Sequence, residues 1–165
     1  MAKENSFDVV SSPDLSELQN ALDQTRREVA TRYDFRGHDV TITWDAASWR
    51  ITLDAPSGMV MDSLQTVLTD KMAKRGVALR FLEFAKPELH GMERATMSIT
   101  VKNGIETPKA KEIQKAIRGL DAKVDVQIQG DALRVTSKNK DDLQKVIQSL
   151  KTQDFGIELS FTNYR

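Results

Sequence analysis

The chain contains no cysteine, which excludes a disulfide framework, a thiol nucleophile and any cysteine-based zinc site, and fits a reducing compartment. Histidine is almost as scarce: His38 and His90 are the only two in 165 residues, and neither belongs to a His-x-x-x-His or His-Glu-x-x-His pattern that could seat a metal. No Gly-x-x-x-x-Gly-Lys-Ser/Thr string is present, so there is no P-loop. No apolar run approaches the roughly 20 residues of a membrane span. The start Met1-Ala2-Lys3-Glu4-Asn5 lacks the apolar stretch of a signal peptide. No membrane association is expected, and the cytoplasm is the expected location. Net charge is also missing, because 24 basic side chains balance 24 acidic ones. The balance is uneven along the chain: residues 1–88 carry 11 basic and 14 acidic groups, and residues 89–165 carry 13 and 10. A polyanion site, if there is one, is therefore favoured in the second half.

What is present is a hydrophobic fraction of 39% arranged with clear periodicity. Phe7 and Val9 alternate as in a strand, and Ser12-Pro13 reads as a helix cap with proline in the first turn. Leu15, Leu18, Leu22, Thr25, Val29 and Tyr33 form one apolar stripe at helical spacing. Val40-x-Ile42-x-Trp44 and Trp49-x-Ile51-x-Leu53 then predict a hairpin turning at residues 45–48. Met61, Leu64, Val67, Leu68 and Met72 predict a second helix, closed by Lys74-Arg75-Gly76. A short strand is expected between Leu79 and Phe84, and Lys86-Pro87-Glu88 reads as a linker.

The order then recurs. Met97-x-Ile99-x-Val101 predicts a strand, Thr107-Pro108 a cap and first turn, and Ile113, Ala116, Ile117 and Leu120 a helix stripe. Val124-x-Val126-x-Ile128 and Leu133-x-Val135 predict a hairpin turning at Gly130-Asp131, followed by a helix from about Asn139 through Leu150 and a strand at Ile157-x-Leu159-x-Phe161. Corresponding elements lie roughly 80 to 90 residues apart, so the chain reads as βαββαβ written twice. The expected class is α+β, with two ferredoxin-like domains at residues 1–88 and 89–165. In each, both helices would cover one sheet face and leave the other wet.

Several stretches together resemble the YajQ family of bacterial nucleotide-binding proteins: Ser6-Phe7-Asp8-Val9-Val10-Ser11, Arg32-Tyr33-Asp34-Phe35-Arg36-Gly37, Lys74-Arg75-Gly76, Gly104-Ile105-Glu106, Val126-Gln127-Ile128-Gln129-Gly130 and the terminal Phe161-x-Asn163-Tyr164-Arg165. The resemblance covers essentially the whole chain. It implies that the first strands, 6–10 and 95–101, are exchanged between the two sheets. It also implies nucleotide-related binding: cyclic di-GMP first, with GTP or ATP as alternatives, tRNA or other RNA as a second class of ligand, and a transcriptional regulator as a partner. It brings no catalytic residues. The residues themselves offer neither a nucleophile with its base nor a carboxylate pair, so no enzyme activity and no cofactor are expected.

Arg32 and Arg36 stand four residues apart at a helix end, and Arg forks are suited to phosphate. The alternative is structural: Tyr33 and Phe35 would plug the core while the two arginines offset the helix terminus and pair with Asp34 or Asp39. Lys102-Asn103-Gly104, leading into the helix that carries Lys109, Lys111 and Lys115, is a second possible anion site; a solvated helix face is the plain alternative. With exchanged strands, the Asn103-Gly104 loop would face the turn between Trp44 and Trp49, and without exchange the Gln129-Gly130-Asp131 turn. On the wet faces the outward sets are Lys123, Asp125, Gln127, Gln129, Arg134 and Thr136, and Thr41, Thr43, Arg50 and Thr52. None is aromatic, which disfavours RNA recognition by base stacking. Gln127, Gln129 and Arg134 could read a guanine edge or form a cross-strand polar ladder. The candidate ligand residues are Arg32, Arg36, Lys102, Arg134 and Lys138.

Overall fold

A computed structural model describes residues 4–91 and 93–165. Met1–Lys3, on which most of the signal-peptide reading rests, lie outside the described residues, as does Met92. Four helices and two antiparallel sheets are present, an α+β arrangement. The chain divides into two compact units, one built from Pro13–Lys102 and the other from the described residues up to Ser12 together with Asn103–Arg165.

The unit at 13–102 holds helices α1 (Leu15–Thr31) and α2 (Gly58–Lys74) and a five-stranded sheet. Its strands are β2 (Thr41–Asp45), β3 (Arg50–Ala55), β4 (Leu82–Phe84), β5 (Glu88–Leu89) and β6 (Ala95–Val101), whereas β1 (Asn5–Val10) belongs to the other sheet. The order is β2-β3-β6-β4, with β5 also on β6. Alternate residues Ile42, Ile51, Leu53, Met97 and Ile99 point into a core completed by Leu18, Leu22, Met61, Leu64 and Leu68 from the helices. On the far face the rows are hydroxyl-rich, with Thr43 opposite Thr52 and Thr52 opposite Ser98.

The other unit holds α3 (Thr107–Arg118), α4 (Lys140–Thr152), β7 (Asp125–Gln129), β8 (Ala132–Ser137) and β9 (Ser160–Thr162), and its sheet order is β7-β8-β1-β9. Phe7 and Val9 of β1 enter a core with Ile113, Ile117, Val126, Leu133, Val135, Val146 and Leu150. The β7–β8 hairpin turns on two residues, and Gly130 at φ +61 supplies the left-handed conformation that a tight hairpin needs at its first central position.

Several local expectations are corrected. Ser12 does not cap α1: Asp14 does, its Oδ1 accepting from the backbone N–H of Ser16 and Glu17 at 3.0 and 3.3 Å. A carboxylate serves two amides there and leaves Pro13 outside the helix. Thr107 is likewise the first residue of α3 and not its cap. The supposed linker at 86–88 runs into β5, which is hydrogen-bonded to β6. The expected strand at 157–161 is shortened to Ser160–Thr162.

Candidate functional site

The C-terminal end of α1 builds one wall of a concavity. The Arg32 backbone N–H still donates to Glu28 at 2.8 Å, but its ψ of 138° ends the helix. A single 3-10 turn, Tyr33–Phe35, follows, with Arg36 N–H donating to the Tyr33 carbonyl at 3.1 Å. At three residues per turn, its side chains diverge in three directions, so only one can enter the core. That one is Phe35, 2% exposed, whereas Tyr33 is 84% exposed. The expectation that both rings plug the core is therefore wrong for Tyr33.

Arg32 and Arg36 line the same groove, about 780 Å³, between the end of α1 and the outer edge of β2. Buried Phe35 and Ile42 form its floor together with half-buried Val29, and Arg26, Arg36 and His38 stand around it. Arg26 closes one side by donating to the Ile42 carbonyl oxygen at 2.9 and 3.3 Å. Arg32 is held in place by Glu28 at 3.3 Å and Asp34 at 2.8 Å, with its guanidinium 6.0 Å from the centre of the Phe35 ring. Glu28 is shared with Lys71 at 3.0 Å, and that hydrogen bond is the main cause lowering the Glu28 carboxyl below its usual range. The Arg36 side chain makes no hydrogen bond or ion pair with the other described residues. One arginine is thus preset and the other unpaired.

The remaining candidates lie elsewhere. Lys102 is exposed at the end of the 13–102 unit and does not line the groove. Lys138 is exposed after β8. Arg134 spends its fork on Asp8 at 3.0 and 3.5 Å, and Asp8 also accepts from Asn163 at 2.8 Å. Arg134, foremost, and Asn163 hold the Asp8 carboxyl below the ordinary range although partial burial opposes them. Gln127, across the hairpin from Arg134, donates to Asp125 of its own strand at 3.4 Å.

The loop at 103–105 is not an open anion cradle. Gly104 N–H donates to the Ser11 carbonyl at 2.6 Å and Ile105 N–H to that of Asp131 at 2.8 Å, while Lys109 pairs with Glu112 at 3.0 Å. Asn103 accepts from Ser12 at 2.8 Å. Gly104 therefore packs on the Gly130-Asp131 turn, and the next contact toward Trp49 is made earlier, by Val101 N–H to the Trp49 carbonyl at 2.8 Å.

The sequence singles out the arginine pair as candidates but does not directly signal the place of Arg26 beside them or the exposure of Tyr33. The first depends on a hydrogen bond across 16 residues. The second was readable, in principle, from two aromatics at a spacing that a 3-10 turn cannot bury together.

Comparison with known proteins agrees along the full length. The family described as "Nucleotide-binding protein YajQ-like" matches residues 5–165. Proteins named nucleotide-binding protein in Synechococcus elongatus, Thermosynechococcus vestitus and Alkaliphilus oremlandii are 46%, 44% and 40% identical to this chain, each over 100% of both sequences. The chain belongs to the YajQ-like family.

Proposed function

We propose that this protein is a non-catalytic nucleotide-binding protein, a cyclic di-GMP receptor, with Arg32 and Arg36 as its phosphate ligands. The observation that carries this reading is the pair of guanidinium groups on one groove of about 780 Å³, a size within the roughly 300–1,000 Å³ of small-molecule sites. Arg32 is preset by two carboxylates and still has donors to spare, and Arg36 keeps its whole fork for an incoming oxygen. The names of the relatives support nucleotide binding as the general activity, and GTP or ATP would use the same arginines. Lys102, Arg134 and Lys138 are secondary ligand candidates, Arg134 at the cost of its bond to Asp8. A receptor without catalytic groups signals only through contact with another molecule, and a transcriptional regulator in the cytoplasm would fill that role.

The two sheets, each with two helices on one face, support reading the units as ferredoxin-like domains. The pairing of β1 with β8 and β9, and of β6 with β3 and β4, supports exchange of their first strands.

Calorimetry tests the ligand. Arg32→Ala with Arg36→Ala should weaken cyclic di-GMP binding by about 2 to 4 kcal/mol if both touch phosphate, with the thermal midpoint as the control for folding. Undiminished affinity in the folded double variant removes this groove. A module holding folded RNA such as tRNA through many phosphates would instead bind tRNA in preference and lose affinity steeply with salt.

A further inference from the structure

We infer that the unit built from β1 and residues 103–165 carries a second nucleotide site, which takes one purine nucleoside monophosphate between Tyr164 and α4. The inference rests on the general nucleotide reading above but not on the arginine groove, which lies in the other unit. The site begins with the way residues 162–165 pair with β1. Asp8 stands opposite Thr162, and Ser6 exchanges both backbone hydrogen bonds with Arg165, at 2.9 and 3.3 Å. Asn163 and Tyr164 therefore face the single residue Phe7, and two residues against one make a β-bulge. Asn163 absorbs the bulge at φ +54, a left-handed conformation that asparagine tolerates, and its side-chain amide donates to Asp8 at 2.8 Å. Without the extra residue, alternation would put Tyr164 on the sheet face away from Phe7. With it, the two rings stack at 6.2 Å and 29°.

The re-aimed ring lines a cavity of about 270 Å³ together with α4. Phe7, Leu143 and Ile147 are buried and give the cavity an apolar floor, while Tyr164 remains 63% exposed. An open aromatic ring over an apolar floor suits a nucleobase, because every base has a π-face and purines offer the larger one. Lys140 and Arg165 line the same cavity; neither side chain makes a hydrogen bond or ion pair with the other described residues, and no side-chain carboxylate is in the lining. Asp8, whose charge Arg165 feels, is already bound by Arg134 and Asn163. Two uncommitted cations beside a ring match a phosphate attached to a base. Gln144 adds an amide that both donates and accepts, as a base edge requires. The volume sets the class, since it falls just under the roughly 300–1,000 Å³ of small-molecule sites: a half-open cleft of this size holds one nucleoside with its phosphate, not a cyclic dinucleotide.

The test reads this site through its own ring. Tyr33 and Tyr164 are the two tyrosines of the chain, so in fluorotyrosine-labelled, full-length Tyr33→Phe protein the one fluorine resonance belongs to Tyr164. Guanosine 5′-monophosphate should shift it saturably, and ribose 5-phosphate, which has no base, should need about 5- to 150-fold more, the range of base–aromatic stacking. Lys140→Ala with Arg165→Ala should raise the concentration of monophosphate required by about 10-fold or more, with the thermal midpoint as the control for folding. Adding Arg32→Ala and Arg36→Ala should leave the titration where it was. No saturable shift, equal potency of the two ligands, a titration indifferent to Lys140 and Arg165 in folded protein, or one abolished by the Arg32/Arg36 changes each overturns the second site. Calorimetry with cyclic di-GMP separates this result from the fate of the groove. If the Arg32/Arg36 variant loses cyclic di-GMP while the Tyr164 resonance ignores the monophosphate, the groove stands and this site falls. If the resonance titrates as expected while that variant keeps cyclic di-GMP, this site stands and the groove falls. A parent protein that binds neither ligand sinks both.

Discussion

Gln114 donates its side-chain amide to the carbonyl oxygen of Val126 at 3.0 Å, across the outer edge of β7. Arg26 does the same to Ile42 on the outer edge of β2, in the other unit. In each unit a helix, α3 or α1, thus reaches over and occupies an acceptor on the sheet's open edge. Edge strands with free carbonyls invite a foreign strand, and a side chain on the carbonyl blunts the invitation.

Removing that cover should do two things. Gln114→Ala is expected to cost about 0.5 to 1.5 kcal/mol, a typical side-chain hydrogen bond, read by denaturant unfolding. It should also raise self-association in sedimentation equilibrium, since the β7 edge gains a bare acceptor. A variant that is as stable and as monodisperse as the parent would mean the contact does not guard the edge.

The Asp8–Arg134 pair predicts a pH response. Asp8 is 8% exposed on the central strand β1, and Arg134 holds its carboxyl below the ordinary range. A folded-state value below the unfolded one stabilises the fold above the unfolded pKa of about 3.9. That contribution fades as pH falls through the lower folded value. Asp8→Asn should therefore be less stable than the parent near neutrality, by about 1 to 3 kcal/mol, and the two unfolding curves should converge in strong acid. A difference that stays constant down to the lowest pH would show that shape, and not charge, is what matters at position 8.

How far the sequence could be read depended on the range of the interaction. Val40-x-Ile42-x-Trp44 and Val126-x-Ile128 declared their strands because a half-buried sheet repeats every two residues, a property local to each strand. The helix stripe from Leu18 to Val29 was equally plain, but it pointed on to Tyr33, and only the backbone turn at Arg32 stops it. Asp14 outbid Ser12 as the cap because a choice between two neighbouring acceptors depends on where the chain enters from β1. Arg32 and Arg36 stood out as a motif; the wall of their groove did not, since Arg26 meets Ile42 through tertiary placement and no spacing rule encodes it.

Gly104 is the position where the least change should do visible damage. Its φ of +89° suits glycine alone, and a Cβ built there would lie 2.5 Å from Asp131 Oδ2 and 2.8 Å from Asp131 Cβ. Gly104→Ala combines backbone strain with a clash and should cost about 1 to 3 kcal/mol. Adding Asp131→Gly removes the clash but not the strain, so the double variant should recover part of the loss. No recovery would assign the whole effect to backbone conformation.

Loss of the first strand should affect the two units differently. β1 lies between β8 and β9, hydrogen-bonded from Asn5 to Val9 on one side and from Asp8 to Val10 on the other. It also places Phe7 and Val9 in the core with Ile113 and Val146. Deleting residues 1–11 leaves β8 and β9 without their shared partner and opens a cavity the width of two large side chains, a change that substitutions as small as Phe→Ala already make costly at about 3 to 5 kcal/mol. The 13–102 unit contributes neither partner strand nor core residue to β1. Amide exchange should therefore accelerate across β7, β8 and α4, while β2, β3 and α2 keep their protection. Fast exchange confined to residues 38–84 would contradict the strand pairing itself, because in that case β1 would be serving the sheet of β2 and β3.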